Sequence, residues 1–214
     1  MKNPVWALIA LVLGLAVCCG CSFQTPRADV EDRSEYDITL SEVGIPAEFR
    51  AKYGEGRMGV ADSAGMQRSV FENDMIRIFW IPTHMAMAFR LENKADDSLK
   101  IMWGRAEFVE VSGARGEASH GGVRYIEYNY TDKSWQRPSV IPPRGSATDW
   151  ILPERRIMRA GGDLAGTGDV TPWLEEDPGK YIGKSVTVVL PLKVGERVVD
   201  YTFVFSINGL VREE

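Results

Sequence analysis

The sequence predicts an all-β protein: an antiparallel, immunoglobulin-like β-sandwich preceded by an export signal, a flexible tether and a short helix. Three observations predict it. At least six short segments alternate apolar and polar residues with the period of two of a half-buried strand. Turn residues separate those segments, and almost nothing in the chain carries the 3.6-residue period of an amphipathic helix. With 214 residues, 44% of them hydrophobic and 26% charged, the chain has the make-up of an ordinary globular protein.

Taken in order, residues 1–20 form a signal, residues 21–65 a tether with a short helix, and residues 66–214 the sandwich domain. From Ser22 to about Asp37 the chain is polar and acidic, with Asp29, Glu31, Asp32, Glu35 and Asp37 close together, so it reads as a solvated tether. Pro46 to Tyr53 reads as a short helix, because Pro46 suits the first helical position and Gly54 can end it. Gly54 to Gly65 then reads as loop. Ile76, Ile78 and Trp80 line one face of a strand ended by Pro82. Met85, Met87, Phe89 and Leu91 alternate with small or charged residues up to Asn93, and Asn93 to Ser98 is a turn. Leu99, Ile101 and Trp103 resume the alternation, and Glu107 to Val111 followed by Gly113 predicts another strand and hairpin turn. Val186, Val188, Leu190 and Leu192 lead through Gly195 into Val199, Tyr201, Phe203, Phe205 and Ile207, the clearest hairpin in the chain. Met87, Phe89, Leu91, Ile101, Trp103, Val188, Leu190, Phe203 and Phe205 occupy the apolar phase of these strands and form the expected core.

The N-terminus carries the strongest functional signal. Lys2 precedes Val5–Val17, a 13-residue apolar run of the length found in secretory signals. Counted through Cys21 the run reaches only the lower end of the roughly 17–25 residues a membrane-spanning helix needs. All three cysteines, Cys18, Cys19 and Cys21, lie where it ends.

Gly20-Cys21 after such a run resembles the signal-peptide end of bacterial lipoproteins, in which small residues precede an invariant cysteine. Cys18 and Cys19 depart from the residues usual there and leave a cut before either of them open; Cys21 is the site chosen here. The resemblance implies a diacylglycerol thioether on Cys21 and an acylated amine. Ser22 rather than Asp in the next position implies an outer-membrane address in a Gram-negative host. Removal of residues 1–20 leaves a body with no other cysteine, hence no disulfide, thiol nucleophile or thiolate metal site. The stretch from Trp103 to Pro153 resembles exported bacterial β-proteins of unassigned function, a likeness that brings no catalytic residue with it.

The body itself holds little assembled chemistry. A net charge of −5 provides no basic excess with which to neutralise phosphates, which argues against a nucleic-acid partner. His84 and His120 stand apart without the ligand spacing of a zinc site. Gly183-Lys184-Ser185 imitates the end of a phosphate loop, but Pro178 occupies the position of its first glycine and a strand follows. No G-x-S-x-G elbow occurs, and Ser119 and His120, adjacent on a strand, point to opposite faces. Asp163, Asp169 and Asp177 lack calcium-loop spacing, and Arg155, Arg156 and Arg159 read as solvated. The suggestive stretch is Tyr125 to Trp135, four aromatic rings among polar neighbours. Tyr128, Tyr130 and Trp135 are the candidate binding surface for a protein or glycan, since such rings anchor interfaces and stack on sugars; an ordinary core strand is the competing reading. The expectation is therefore a non-enzymatic, lipid-anchored module of the bacterial cell envelope, facing the periplasm, with no cofactor and no metal. An envelope hydrolase or carbohydrate-binding lipoprotein is the alternative.

Overall fold

The computed structural model describes residues 36–63, 66–83, 86–121, 136–154, 174 and 178–210, all within one compact unit, Arg33–Glu214. Among the described residues twelve strands and one α-helix follow in order: β1 (Tyr36–Gly44), α1 (Ala47–Tyr53), β2 (Arg57–Ser63), β3 (Met66–Glu72), β4 (Ile76–Pro82), β5 (Met87–Asn93), β6 (Leu99–Ile101), β7 (Glu107–Val109), β8 (Arg115–His120), β9 (Ser139–Ile141), β10 (Ser146–Pro153), β11 (Ser185–Val194) and β12 (Arg197–Leu210). Every pairing is antiparallel, as the sequence predicts. The ladder is not split into the two sheets of an immunoglobulin-like sandwich. It runs unbroken as β1-β12-β11-β7-β8-β10-β5-β4-β3-β2, with β6 and β9 attached beside β11. The reason lies in β8: Arg115–Glu117 pair with β7 while Ala118–His120 pair with β10, so one strand crosses from one half to the other and turns the corner. At the far ends the sheet nearly closes, where the Leu40 amide of β1 donates to Ser69 Oγ of β3 at 3.1 Å.

Two expectations for the N-terminal part change. The polar stretch read as a tether up to Asp37 gives way to β1 at Tyr36, because Tyr36 and Ile38 alternate with polar neighbours and bury against β12. Gly54 to Gly65, read as loop, contains β2. Its residues alternate too weakly to be recognised, and the ladder to β3 from Arg57↔Glu72 to Ser63↔Met66 defines the strand. The helix forms where expected and ends at Gly54, whose φ of 80° is a conformation glycine adopts without strain. Met85 lies outside the described residues, while Met87, Phe89 and Leu91 of β5 face inward as expected. Trp103 leaves the ladder in a short 3₁₀ turn, Trp103–Arg105, rather than continuing the strand, yet it remains fully buried.

The halves are joined by an aromatic core. Trp80 of β4 meets Phe203 and Phe205 of β12 with ring centroids 5.0 and 5.1 Å apart, and Phe89 of β5 at 5.1 Å. Phe71 of β3 meets Tyr201 and Phe203 edge-on at 6.1 Å. Such pairs contribute roughly 0.5–1.5 kcal/mol each beyond the burial of their area. All nine expected core residues are buried. Pro191 sits in the middle of β11, where proline ordinarily removes a ladder bond. Its carbonyl accepts from the Met102 amide at the break between β6 and β7. Amide and carbonyl of one residue point the same way in an antiparallel strand, so the missing N–H faces that break and no ladder bond is lost.

Tyr201 is the polar exception in this core. Its hydroxyl accepts from Asn73 Nδ2 at 3.0 Å, while Asn73 Oδ1 accepts from the Met75 and Ile76 amides and shapes the turn into β4. Burial pushes the phenol up to about 12, opposed by the bond from Asn73 and assisted by Tyr53. The neutral phenol is therefore favoured in the folded state. Its contribution to stability is complete below about pH 10, the unfolded value, and is lost as pH rises toward 12, by about 3 kcal/mol for two pH units. Unfolding of the wild type and Tyr201→Phe between pH 8 and 12 checks this: the wild type falls steeply relative to the variant. Parallel curves would contradict it.

Candidate functional site

The corner formed by β8 gathers the polar side chains of greatest chemical interest. In the β8–β10 register His120 lies opposite Ile151, and in the β10–β5 register Asp149 lies opposite Phe89, so both project on the inward side. His120 Nδ1 donates to Asp149 Oδ2 at 3.0 Å. The other carboxylate oxygen, Oδ1, accepts from the amides of Gly121 at 2.9 Å and Trp150 at 2.8 Å. The imidazole stacks on the indole of Trp103, centroids 3.9 Å apart and planes 4° from parallel. Trp103 Nε1 in turn donates to Ser139 Oγ of β9 at 2.8 Å. Gly121 is required by close approach: a Cβ there would lie 2.6 Å from Trp150 Nε1 and 2.9 Å from Asp149 Oδ1. Gln136 closes the set, its Nε2 donating to the Ala118 carbonyl at 3.1 Å.

An imidazole whose Nδ1–H is held by a carboxylate has its tautomer and orientation fixed, the arrangement a general base requires. Catalysis also needs a nucleophile aligned with it. Ser119, next in sequence, does not supply one. It lies opposite Leu152 on the other side of the sheet, fully buried, with no hydrogen bond to its Oγ. His120 is 4% exposed. Three secondary elements meet on it, and the pair acts as a polar rivet that fixes β8, β10 and the Trp103 turn at the corner.

A second feature is a cleft of about 150 Å³ on the β7–β8 hairpin, lined by Phe108, Glu110, Arg115, Glu117, Pro153 and Glu154. Arg115 pairs with Glu107 at 3.3 Å. Among the described residues no three His, Cys, Asp or Glu side chains gather closely enough to hold a metal ion.

Cys21 and the candidate aromatic surface, Tyr128, Tyr130 and Trp135, lie outside the described residues, as do His84 and the Asp163–Asp169 and Arg155–Arg159 stretches. Gly121 and Gln136, at the riveted corner, are the described residues on either side of the aromatic segment. The His120–Asp149 pair was out of reach of sequence reasoning, because its members stand 29 residues apart on strands whose adjacency only the fold decides. The one local hint is Gly121 directly after a strand-borne histidine. No family model, no curated protein and no solved structure matches the chain.

If the pair is a rivet, Asp149→Ala leaves His120 Nδ1 and the Gly121 amide without their acceptor and destabilises the protein by about 1–3 kcal/mol. Urea unfolding measures it. A change under about 0.5 kcal/mol would show that the corner holds without the carboxylate.

Proposed function

We propose that this chain is a lipid-anchored protein of the bacterial cell envelope, acting as a non-enzymatic binding or assembly module. The observation that carries the reading is Gly20-Cys21 at the end of the Val5–Val17 run, with every cysteine of the chain confined to that segment. Acylation at Cys21 attaches the membrane partner through several chains, which makes anchoring stable where one chain is marginal at about 0.8 kcal/mol per buried methylene. The first strand among the described residues begins at Tyr36. At roughly 3.3–3.6 Å per extended residue, the stretch between Cys21 and Tyr36 has a reach of about 50 Å. The reading places the domain in the periplasm, on the outer membrane, with Tyr128, Tyr130 and Trp135 offered to an envelope protein or a glycan. The riveted, inward-facing position of the His120–Asp149 pair suits structure better than turnover.

The alternative of an envelope hydrolase or carbohydrate-binding lipoprotein draws on Glu110, Glu117 and Glu154 around the cleft beside Arg115. Loss of glycan binding or hydrolysis in Glu117→Gln would favour it.

Lipidation is tested first. Mass spectrometry of the mature protein should find an acylated N-terminal Cys21, and Cys21→Ser should leave the precursor uncut or release the protein from membranes. An intact Met1 on mature protein, or unchanged membrane retention of Cys21→Ser, contradicts the proposal.

A further inference from the structure

A sheet that nearly closes still has edges, and exposed edges invite pairing with another chain unless something blocks them. Two of the edges here are blocked. Strand β1 carries register shifts at Asp37/Ile38 and Leu40/Glu42, and its Leu40 amide is taken by Ser69. Strand β9 is three residues long and flanked by Pro138 and Pro142. Strand β2 lacks these guards and carries only the charges of Arg57 and Asp62. It is paired on one side only, keeps an even register over seven residues, and contains neither proline nor lysine.

The side chains of β2 strengthen the case. Met58 lies opposite Phe71 and Val60 opposite Ser69, so both belong to the row that faces inward, where Phe71 packs on Tyr201 and Phe203. Both are left largely exposed, Met58 at 48% and Val60 at 64%. Asp62, opposite Gln67, ends the same row with a charge, so Met58 and Val60 form a short apolar pair on a weakly guarded edge, a surface for strand addition.

We infer that a second copy of this chain fills it, β2 pairing antiparallel with β2 of the partner subunit about a two-fold axis at Gly59. Centring the pair on Gly59 sets Met58 against Val60 of the partner subunit and Val60 against the partner's Met58, giving two apolar cross-strand contacts. It also sets Arg57 against Ala61 of the partner subunit, so no like charges oppose. Neighbouring registers are worse. Centring on Val60 faces Met58 with an aspartate, Asp62, and centring on Met58 faces Val60 with Gly56. The contact is isologous and closes at two copies.

The register provides its own test. The two Gly59 Cα atoms would lie about 4.5–5.5 Å apart, within disulfide reach, and a Cβ at Gly59 meets nothing within 4 Å, so cysteine fits. The full chain carrying Gly59→Cys, purified from cells expressing it, should form a disulfide dimer on mild oxidation. The same chain carrying Gly104→Cys, also at an unobstructed and exposed position, should remain monomeric. Adding Val60→Lys to Gly59→Cys should lower the dimer to the Gly104→Cys level while leaving the melting temperature unchanged. The unmodified chain, run alongside, reveals any dimer made through Cys21 and so keeps the test separate from the lipidation reading. Equal dimer at Gly59 and Gly104, no dimer at Gly59, or a Gly59 dimer indifferent to Val60→Lys would each overturn the inference.

Discussion

The contact of Trp80 with Phe203, ring centroids 5.0 Å apart, is the interaction on which the rest of the structure depends. Strands β4 and β12 stand far apart in the ladder, with β11, β7, β8, β10 and β5 between them. Hydrogen bonds alone would leave the two halves as one open, curling sheet. Burial of Trp80, Phe89, Phe203 and Phe205 against one another folds that sheet onto itself, and the aromatic shapes set the distance between its layers. Residues 22–214 contain no cysteine, so no disulfide joins the two halves.

Once the halves face each other, the ladder has to bend somewhere, and it bends at β8. The irregular features gather there for that reason. The ladder beside β11 is interrupted by the Trp103 turn, which lets Pro191 sit in mid-strand, and His120 and Asp149 bridge the two strands at the bend. A polar pair at the rim of an apolar core lowers stability when half satisfied and specifies geometry when fully bonded. Asp149 is bonded at both oxygens, which makes the corner a defined angle rather than a hinge. The same closure leaves β2 beyond the seam between β1 and β3, so the apolar side of that strand and its open edge have one physical origin.

Period-two patterns made most of the fold legible: Phe203 and Phe205 declare β12 because that strand has one buried and one wetter face, while Val188 and Leu190 lie in a stretch of β11 that is buried on both faces. β1 was obscured by the acids just before it, and β2 by having little buried on either face, which leaves no pattern to read. The single continuous sheet was invisible because the switch of β8 from one partner to the other is a matter of pairing, not of composition. At the candidate site, His120 drew notice as an isolated histidine and as the neighbour of Ser119. Its partner Asp149 is one carboxylate among thirty acidic residues, and neither spacing nor charge distinguishes it.

The central claim is that face-to-face aromatic packing, more than the ladder, holds this molecule closed. Denaturant unfolding of Phe203→Ala tests it most directly, because that ring touches Trp80, Phe71 and Tyr201 at once and is fully buried. The account predicts a loss of about 3–5 kcal/mol with an unchanged all-β circular dichroism spectrum below the transition. A loss below about 1 kcal/mol would contradict it and return the burden of stability to the strand pairings.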